Sequence, residues 1–161
     1  MIYRKTIPSP VGELTLAGEG EHLVGLWLAG QKHFAAGYSQ LTDGDLPVFD
    51  AAELWLERYF CGECPSPAEL PLAPKGTDFQ RLVWDQLLQI PYGETVTYGQ
   101  LAIQLGCKSA QAVGGAVGRN PISILIPCHR VVGQKGALTG YAGGLQNKRF
   151  LLELEKRSNS L

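Results

Sequence analysis

The chain has 161 residues, of which 45% are hydrophobic and 18% charged, and its formal net charge at pH 7 is −1. This composition is that of a folded domain with a buried core, and it excludes a disordered or low-complexity chain. No apolar run approaches the roughly 18 residues of a membrane span, and no signal-peptide h-region follows the basic residues at the N-terminus. We therefore expect no membrane segment, no secretory signal and a cytoplasmic location.

The small net charge hides an uneven distribution along the chain. Residues 1–75 carry 5 basic and 10 acidic side chains, whereas residues 76–161 carry 9 basic and 5 acidic ones. Between Gln86 and Leu152 the one acidic residue is Glu94. A polyanion could bind to this stretch, although a solvated basic face without a partner fits the charge pattern equally well.

The N-terminal part has the pattern of a small sheet. Residues 2–8, 12–17 and 22–29 are short segments rich in β-branched and aromatic side chains, separated by proline and glycine, which predicts an antiparallel meander. Residues 48–60 have apolar side chains at helical spacing, and this helix should cover the sheet.

A proline-rich segment, residues 61–75, has the composition of a linker. It predicts a boundary between an N-terminal sheet domain, residues 1–75, and a mostly helical domain, residues 76–161. The fold class is therefore α+β.

A helix should start after the capping box Thr77–Gln80. Its predicted apolar stripe consists of Phe79, Leu82, Val83 and Leu87, and Pro91 should end it.

Two short helices should follow, one from the capping box at Thr97 to about Gly106 and one from Ser109 to about Gly118. A tight turn between two helices predicts a helix-turn-helix, a motif that reads DNA in some proteins and binds nothing in others. Residues 110–116 of the second helix are almost all small. They would allow close approach to an external groove or tight packing against another helix, and the sequence leaves both open.

The most informative segment, residues 124–132, places Cys128 beside His129 between two apolar runs. A cysteine is a nucleophile only as the thiolate, and His129 or Arg130 could supply the base or the positive charge that it needs. Sequence neighbours point in different directions, so His129 should reach Cys128 through a water. The alternative is a structural cysteine beside a buried histidine.

The C-terminal helix, residues 145–156, could supply a third group. Leu151, Leu152 and Glu155 share a face, which directs the carboxylate toward the apolar side, where it could orient His129. Spacing alone also fits an exposed glutamate at a helix end.

These residues resemble a family, the O-6-alkylguanine-DNA alkyltransferases, also called methylated-DNA-protein-cysteine methyltransferases. Residues 118–133 match its active-site motif, and residues 140–144 with Lys148 and residues 151–152 match its next block. The match runs in order from Thr77 to Glu155, and the N-terminal part resembles the bacterial members in length and layout.

The resemblance implies a DNA-repair protein that flips an alkylated base out of the duplex. It transfers the alkyl group from O-6-alkylguanine, and from O-4-alkylthymine, irreversibly to its own cysteine in a single turnover. The implied partner is double-stranded DNA, which a monomer binds through the minor groove. The resemblance implies no cofactor.

The same resemblance assigns roles to individual residues. Cys128 is the acceptor, His129 the base acting through a bridging water, and Glu155 the group that holds the imidazole. Asn120 braces the turn before the active site. The residues assigned to DNA and the flipped base are Tyr98, Gln111, Arg119, Val131, Tyr141 and the backbone amide of Ala142.

Within this set, Tyr98 should donate to guanine N3, Tyr141 should line the alkyl pocket, and the Ala142 amide should donate to O6. Gln111 departs from the family, which usually has an arginine there that fills the space of the flipped nucleotide.

The remaining cysteines, Cys61, Cys64 and Cys107, should be free thiols, because disulfide frameworks belong to secreted chains. Some family members bind zinc in the N-terminal domain, but Cys61 and Cys64 supply at most two ligands, so no metal is expected.

Three other functions compete with this interpretation. A non-enzymatic alkyltransferase-like protein would bind the lesion without transfer, but such relatives lack the acceptor cysteine. A transcription regulator would need the helix-turn-helix but not the arrangement of Cys128, His129 and Glu155. A thiol hydrolase would turn over small esters and ignore DNA.

Overall fold

The computed structural model describes residues 1–159, and its first three strands form the predicted antiparallel meander. They are β1 (Tyr3–Ile7), β2 (Leu14–Glu19) and β3 (His22–Leu28). A two-residue strand that the sequence did not predict, β4 (Thr42–Asp43), pairs parallel to β1 and completes the order β3-β2-β1-β4.

A single long helix, α1 (Pro47–Phe60), packs on this sheet and confirms the predicted covering helix. Pro47 lies in the first turn, where its missing N–H has no intrahelical partner to lose. The buried residues of α1 are Val48, Phe49, Ala52, Trp55, Leu56 and Tyr59. Burial of each large apolar side chain among them stabilises the fold by about 1.5–3 kcal/mol.

The second half of the chain is mostly helical, which confirms the α+β class. Its helices are α2 (Asp78–Leu87), α3 (Tyr98–Leu105), α4 (Ala110–Gly118) and α5 (Leu145–Asn159). Both predicted capping boxes are present, with the Thr77 and Thr97 hydroxyls accepting from backbone N–H groups three residues later.

The helix-turn-helix consists of α3, a short turn and α4. Gly106 ends α3 in the left-handed conformation, at φ 66°, where glycine has no steric cost. Ser109 then caps α4 by accepting from the Ala112 amide at 3.0 Å.

The predicted apolar stripe of α2 is partly wrong. Phe79 and Leu82 are 38% and 60% exposed, whereas Val83, Trp84 and Leu87 are buried. The buried face of α2 includes Trp84 instead of Phe79 and Leu82, because the indole has the larger apolar area to bury. Its Nε1 donates to the Ala116 carbonyl at 2.9 Å, which fixes α2 against α4.

The outer edge of β3 is covered by two later segments of the chain. The backbone of Leu23 pairs with residues 71–73, and that of Leu26 pairs with Pro121 and Ser123. These bonds satisfy an edge that would otherwise be exposed. The main hydrophobic core accordingly contains side chains from both halves of the chain.

A second, two-stranded sheet positions the site. In it β5 (Val96–Thr97) lies parallel to β6 (Val131–Val132), so the start of α3 is held beside the segment that follows Cys128. Within residues 1–159 no helix combines the length and hydropathy that crossing a membrane requires.

Candidate active site

Cys128 begins a 3-10 turn, Cys128–Arg130, and is 5% exposed. The turn before it, residues 122–126, is held by Asn120. The Asn120 amide donates to the Ile126 carbonyl at 2.8 Å, and its oxygen accepts from the Ile122 N–H at 3.0 Å. Within this turn Ile124 has φ 71°, a strained conformation for a β-branched residue. Asn120 thus braces a strained turn that leads into the cysteine.

Glu155 lies at the centre of a buried hydrogen-bond cluster. It is 1% exposed, so the alternative of an exposed helix-end glutamate is wrong. Its oxygens accept from His129 Nε2 at 2.5 Å, Arg130 Nε at 2.7 Å, Tyr59 Oη at 2.5 Å and the Gly93 amide at 3.1 Å. We call Glu155, His129, Arg130 and Tyr59 the relay cluster.

The protonation states in the relay cluster follow from these bonds. Burial would raise the pKa of Glu155, but its bonds to His129 and Arg130 hold that pKa well below the usual range, so the carboxylate is ionised. Burial lowers the pKa of His129 and keeps the imidazole neutral. An ionised carboxylate can only accept, so His129 Nε2 carries the hydrogen and Nδ1 has a free lone pair. Nδ1 is buried and has no hydrogen-bond partner among the described residues.

A buried lysine, Lys148, acts on the thiol. Its ammonium donates to the carbonyls of Val131 at 2.5 Å and Thr139 at 2.8 Å. Burial lowers the pKa of Lys148 to about 8. Burial also raises the pKa of Cys128, and the Asn120 amide and the Lys148 charge act in the opposite direction.

A cleft with a cavity of about 760 Å³ is formed between α4, the start of α3, residues 139–142 and the loop after β3, and Cys128 is not among the residues that line it. The predicted residues that line it are Tyr98, Gln111, Arg119, Tyr141 and Ala142. Burial raises the pKa of both Tyr98 and Tyr141, and the charge of a Cys128 thiolate would raise it further. Val131 is fully buried behind the cleft and contributes its carbonyl to Lys148.

The hydroxyl of Tyr98 already has protein partners. It donates to the Gly140 carbonyl at 3.0 Å and lies 3.4 Å from that of Thr139. The hydroxyl of Tyr141 is buried and unpaired within residues 1–159. Both tyrosines line the cleft, but the hydroxyl of Tyr141 is itself buried.

Two small residues of α4, Gly115 and Gly118, face the cleft, whereas Ala116 is packed in the core against α2. Val113, Ala116 and Val117 form the buried face of α4. At Gly115 and Gly118, which line the cleft, an added Cβ would meet no heavy atom of the described chain within 4 Å. Tight packing against another helix therefore does not require these glycines, and the face is open to an external surface.

The N-terminal half contributes three groups that the sequence did not reveal. Tyr59 belongs to the relay cluster. The buried Gln31 side chain accepts from the Leu28 amide at 2.9 Å and from Ser123 Oγ at 3.0 Å. The Lys32 amide donates to the Ala142 carbonyl at 2.9 Å. Gln31 and Lys32 thereby hold both the turn before Cys128 and the loop that carries Ala142.

The other thiols lie apart from this arrangement. Cys61 and Cys64 are exposed, Cys107 is half-buried, and all three are free. In the described part of the chain, no three His, Cys, Asp or Glu side chains are grouped to hold a metal ion.

This geometry defines a class of protein: one with a buried cysteine, a neutral histidine bonded to a buried carboxylate, and an open helix face that lines a cleft. Two family models match the chain. The DNA-binding domain of 6-O-methylguanine DNA methyltransferase matches residues 78–157, and the ribonuclease-like domain of the same enzyme matches residues 2–74. The chain therefore belongs to the methylated-DNA–protein-cysteine methyltransferase family.

Relatives support this membership over nearly the whole chain. The methylated-DNA–protein-cysteine methyltransferase of Haemophilus influenzae is 46% identical over 96% of this chain and 87% of its own length. The Mycobacterium tuberculosis protein of the same name is 48% identical over 97% and 93%. The crystal structure of M. tuberculosis OGT in complex with DNA superimposes with a TM-score of 0.87 at 48% identity, covering 97% of this chain and 94% of that one.

Proposed function

We propose that this protein repairs DNA by transferring the alkyl group of O-6-alkylguanine to Cys128, once per molecule and irreversibly. The observation that carries the proposal is the unpartnered Nδ1 of His129, the residue that follows Cys128, while its Nε2 is bonded to the ionised Glu155. That is the arrangement of a nucleophile, a base and an orienting carboxylate.

The chemical step is a displacement at the alkyl carbon. The thiol proton of Cys128 passes through a bridging water to His129 Nδ1, and the imidazolium that forms is stabilised by Glu155. The thiolate then attacks the alkyl carbon: a carbon–sulfur bond forms, the carbon–O6 bond breaks, and its electron pair leaves with guanine. A thioether has no easy leaving reaction, so the protein is consumed.

The leaving guanine has two candidate donors in the cleft wall. The Ala142 amide would donate to O6 and the Tyr98 hydroxyl to N3, which stabilises the charge that develops on the base. Tyr98 would exchange its bond to the Gly140 carbonyl for the one to the base. Tyr141, which lines the same cleft, would contact the alkyl group.

The alkylated base can reach Cys128 only outside the helical stack. Flipping a nucleotide costs a few kcal/mol and less for a mispaired lesion. The open Gly115 and Gly118 face of α4 would enter the minor groove, and Gln111 on this helix and Arg119 directly after it would contact the strand. Such contacts read the backbone and the groove and imply little sequence preference.

The remaining features of the proposal concern scope and setting. O-4-alkylthymine presents a similar alkylated oxygen and is included as a substrate. The reaction needs no cofactor, and a monomer holds all the groups named. We place the protein in the compartment that holds the chromosome, which in a bacterium is the cytoplasm. The division into two domains, residues 1–75 and 76–161, is also part of the proposal.

The test uses the intact protein and a duplex that contains one O-6-methylguanine. Intact mass should increase by one methyl group per protein, and peptide mapping should place it on Cys128. Cys128→Ser should bind the duplex without transfer because a serine hydroxyl is far less ionised. Cys107→Ser, the matched control, should transfer normally. Label on another cysteine, or continued turnover, would contradict the proposal, and binding without transfer would favour the non-enzymatic alternative.

A further inference from the structure

One end of the cleft carries positive charge from both halves of the chain. Lys32 and His33 come from the loop after β3, and Arg119 follows the last residue of α4. All three line the same cavity as Gln111 and Tyr98. We call Lys32, His33 and Arg119 the rim cluster.

The backbone fixes the position of the two N-terminal residues. The Lys32 amide is bonded to the Ala142 carbonyl, and the preceding Gln31 is buried and tied to Ser123. His33 has φ 61°, which is uncommon for a residue other than glycine. A constrained loop therefore presents Lys32 and His33 to the cleft.

The rim cluster has no counter-charge within the described chain. No ion pair joins Lys32, His33 or Arg119 to a carboxylate of residues 1–159, and none of the residues that line the cleft is acidic. Partial burial and the charges of Arg119 and Lys32 lower the pKa of His33. Lys32 and Arg119, and His33 once it is protonated, would be stabilised by an anion placed between them.

The position of the rim cluster relative to Gln111 indicates which anion it binds. Arg119 lies about 12 Å along the helix axis from Gln111, at 1.5 Å per residue. At a rise of about 3.4 Å per nucleotide, this is roughly three to four nucleotides of one strand. A strand that runs along the glycine face of α4 would therefore carry a phosphate to the rim cluster.

We propose that Lys32 and His33 of the N-terminal half join Arg119 in binding a DNA backbone phosphate, so that the damaged strand is held from both sides of the cleft. This inference rests on the proposed function for the identity of the partner. It extends the DNA interface beyond the helix-turn-helix to the loop after β3.

The proposal has a consequence for pH. In the free protein His33 faces Lys32 from its own loop and Arg119 from α4, and both favour its neutral form. A bound phosphate would favour the protonated form, so binding would take up a proton. Affinity should therefore rise as the pH falls through the interval between the pKa of His33 in the free and the bound protein.

The experiment measures equilibrium binding by fluorescence anisotropy, with Cys128→Ser in every protein so that no transfer occurs. The logarithm of the binding constant falls linearly with the logarithm of the salt concentration. Lys32→Ala should make this dependence shallower, with a slope smaller in magnitude by about 0.9, the value for one phosphate contact. His33→Asn removes the charge and tolerates the left-handed backbone, and it should abolish the rise in affinity between pH 8 and pH 6.

Lys75→Ala is the matched control, because Lys75 lies in the same half of the chain and pairs with Glu19 outside the cleft. It should keep both the slope and the pH dependence. An unchanged slope in Lys32→Ala together with an unchanged pH profile in His33→Asn would overturn the proposal. Failure of the protein with Cys128 intact to accept a methyl group would instead count against the proposed function, so the two failures are distinguishable.

Discussion

The Tyr59 hydroxyl lies 2.5 Å from Glu155 Oε2 and 3.5 Å from His129 Nε2, so a helix of the N-terminal half completes the relay cluster. Glu155 has several donors, and Tyr59 is the one that α1 supplies. The Tyr59 ring is held by stacking on Trp55, with centroids 5.5 Å apart and planes 10° apart. The N-terminal half therefore contributes directly to the hydrogen-bond cluster that holds His129.

Tyr59→Phe should slow alkyl transfer by about 2–10-fold, because Glu155 keeps its other donors but is less firmly positioned. Loss of one hydrogen bond to a charged group should also lower the free energy of unfolding by about 1.5–3 kcal/mol. Single-turnover rates and urea unfolding measure the two effects. Tyr92→Phe is a suitable control, because Tyr92 packs against the same ring without a hydrogen bond to Glu155. Equal rates for Tyr59→Phe and the parent would assign Tyr59 a purely structural role.

Glu155→Gln should affect both rate and stability. The variant removes the charge that orients His129 and stabilises its protonated form, so transfer should slow by about 10–1000-fold. It also leaves the buried Arg130 without its carboxylate, which should cost about 3–5 kcal/mol of stability. Rates are to be normalised to the folded fraction, measured by near-UV circular dichroism. A normal rate per folded molecule would show that the carboxylate only anchors Arg130.

Acid should destabilise the protein through the same buried groups. The pKa of His129 is lower in the folded protein than its ordinary value of 6.5, so below that pH the unfolded chain binds more protons than the folded one. The free energy of unfolding should therefore fall as the pH drops below about 6.5. The lowered pKa of Glu155 acts in the same direction below its ordinary value of 4.5.

Urea unfolding between pH 7.5 and pH 5 measures this dependence. His129→Gln, which does not titrate in this range, should flatten the curve. His22→Gln, at an exposed position of β3, should keep it. A curve that His129→Gln leaves as steep as that of the parent would mean that other groups cause the acid sensitivity.

The sequence predicted those elements of the fold that depend on a local pattern of residues. Hydrophobic periodicity and capping residues predicted the meander, α1 and the helix pair, because each is determined by neighbours a few positions away. The short β4 was missed because two residues leave no periodic pattern. The spacing of Phe79 and Leu82 fits a buried helix face as well as the spacing of Trp84 does, so the sequence alone could not decide which of them is buried.

The site was predictable only where a motif carried it. Cys128, His129 and Asn120 lie in one continuous segment, whereas helical spacing offered Glu155 as a candidate and the resemblance implied its role. Tyr59 and Gln31 were not found, because their partners are 96 and 92 residues away along the chain. A pairing of that length depends on how the two halves pack, which no local signal encodes.

Gln111 is the position where the resemblance predicts an arginine in most family members. It is exposed in the first turn of α4 and lines the cleft opposite the Arg119 end of the helix. An arginine there could stack in the space left by a flipped nucleotide, bond to the orphaned base and neutralise a phosphate, whereas glutamine does the first two weakly and the third not at all. Gln111→Arg should therefore tighten duplex binding and steepen its salt slope by up to about 0.9.

The same variant should speed repair of a duplex more than repair of a single strand, since a single strand has no stack to refill. Single-turnover transfer on both substrates measures this difference, with Gln111→Ala as the control for loss of the side chain. If Gln111→Ala repairs the duplex as fast as the parent, the glutamine does not fill the vacated space. An equal gain for Gln111→Arg on both substrates would assign the effect to general attraction of the phosphates, because a side chain that replaces a base can act only where a base has left the stack.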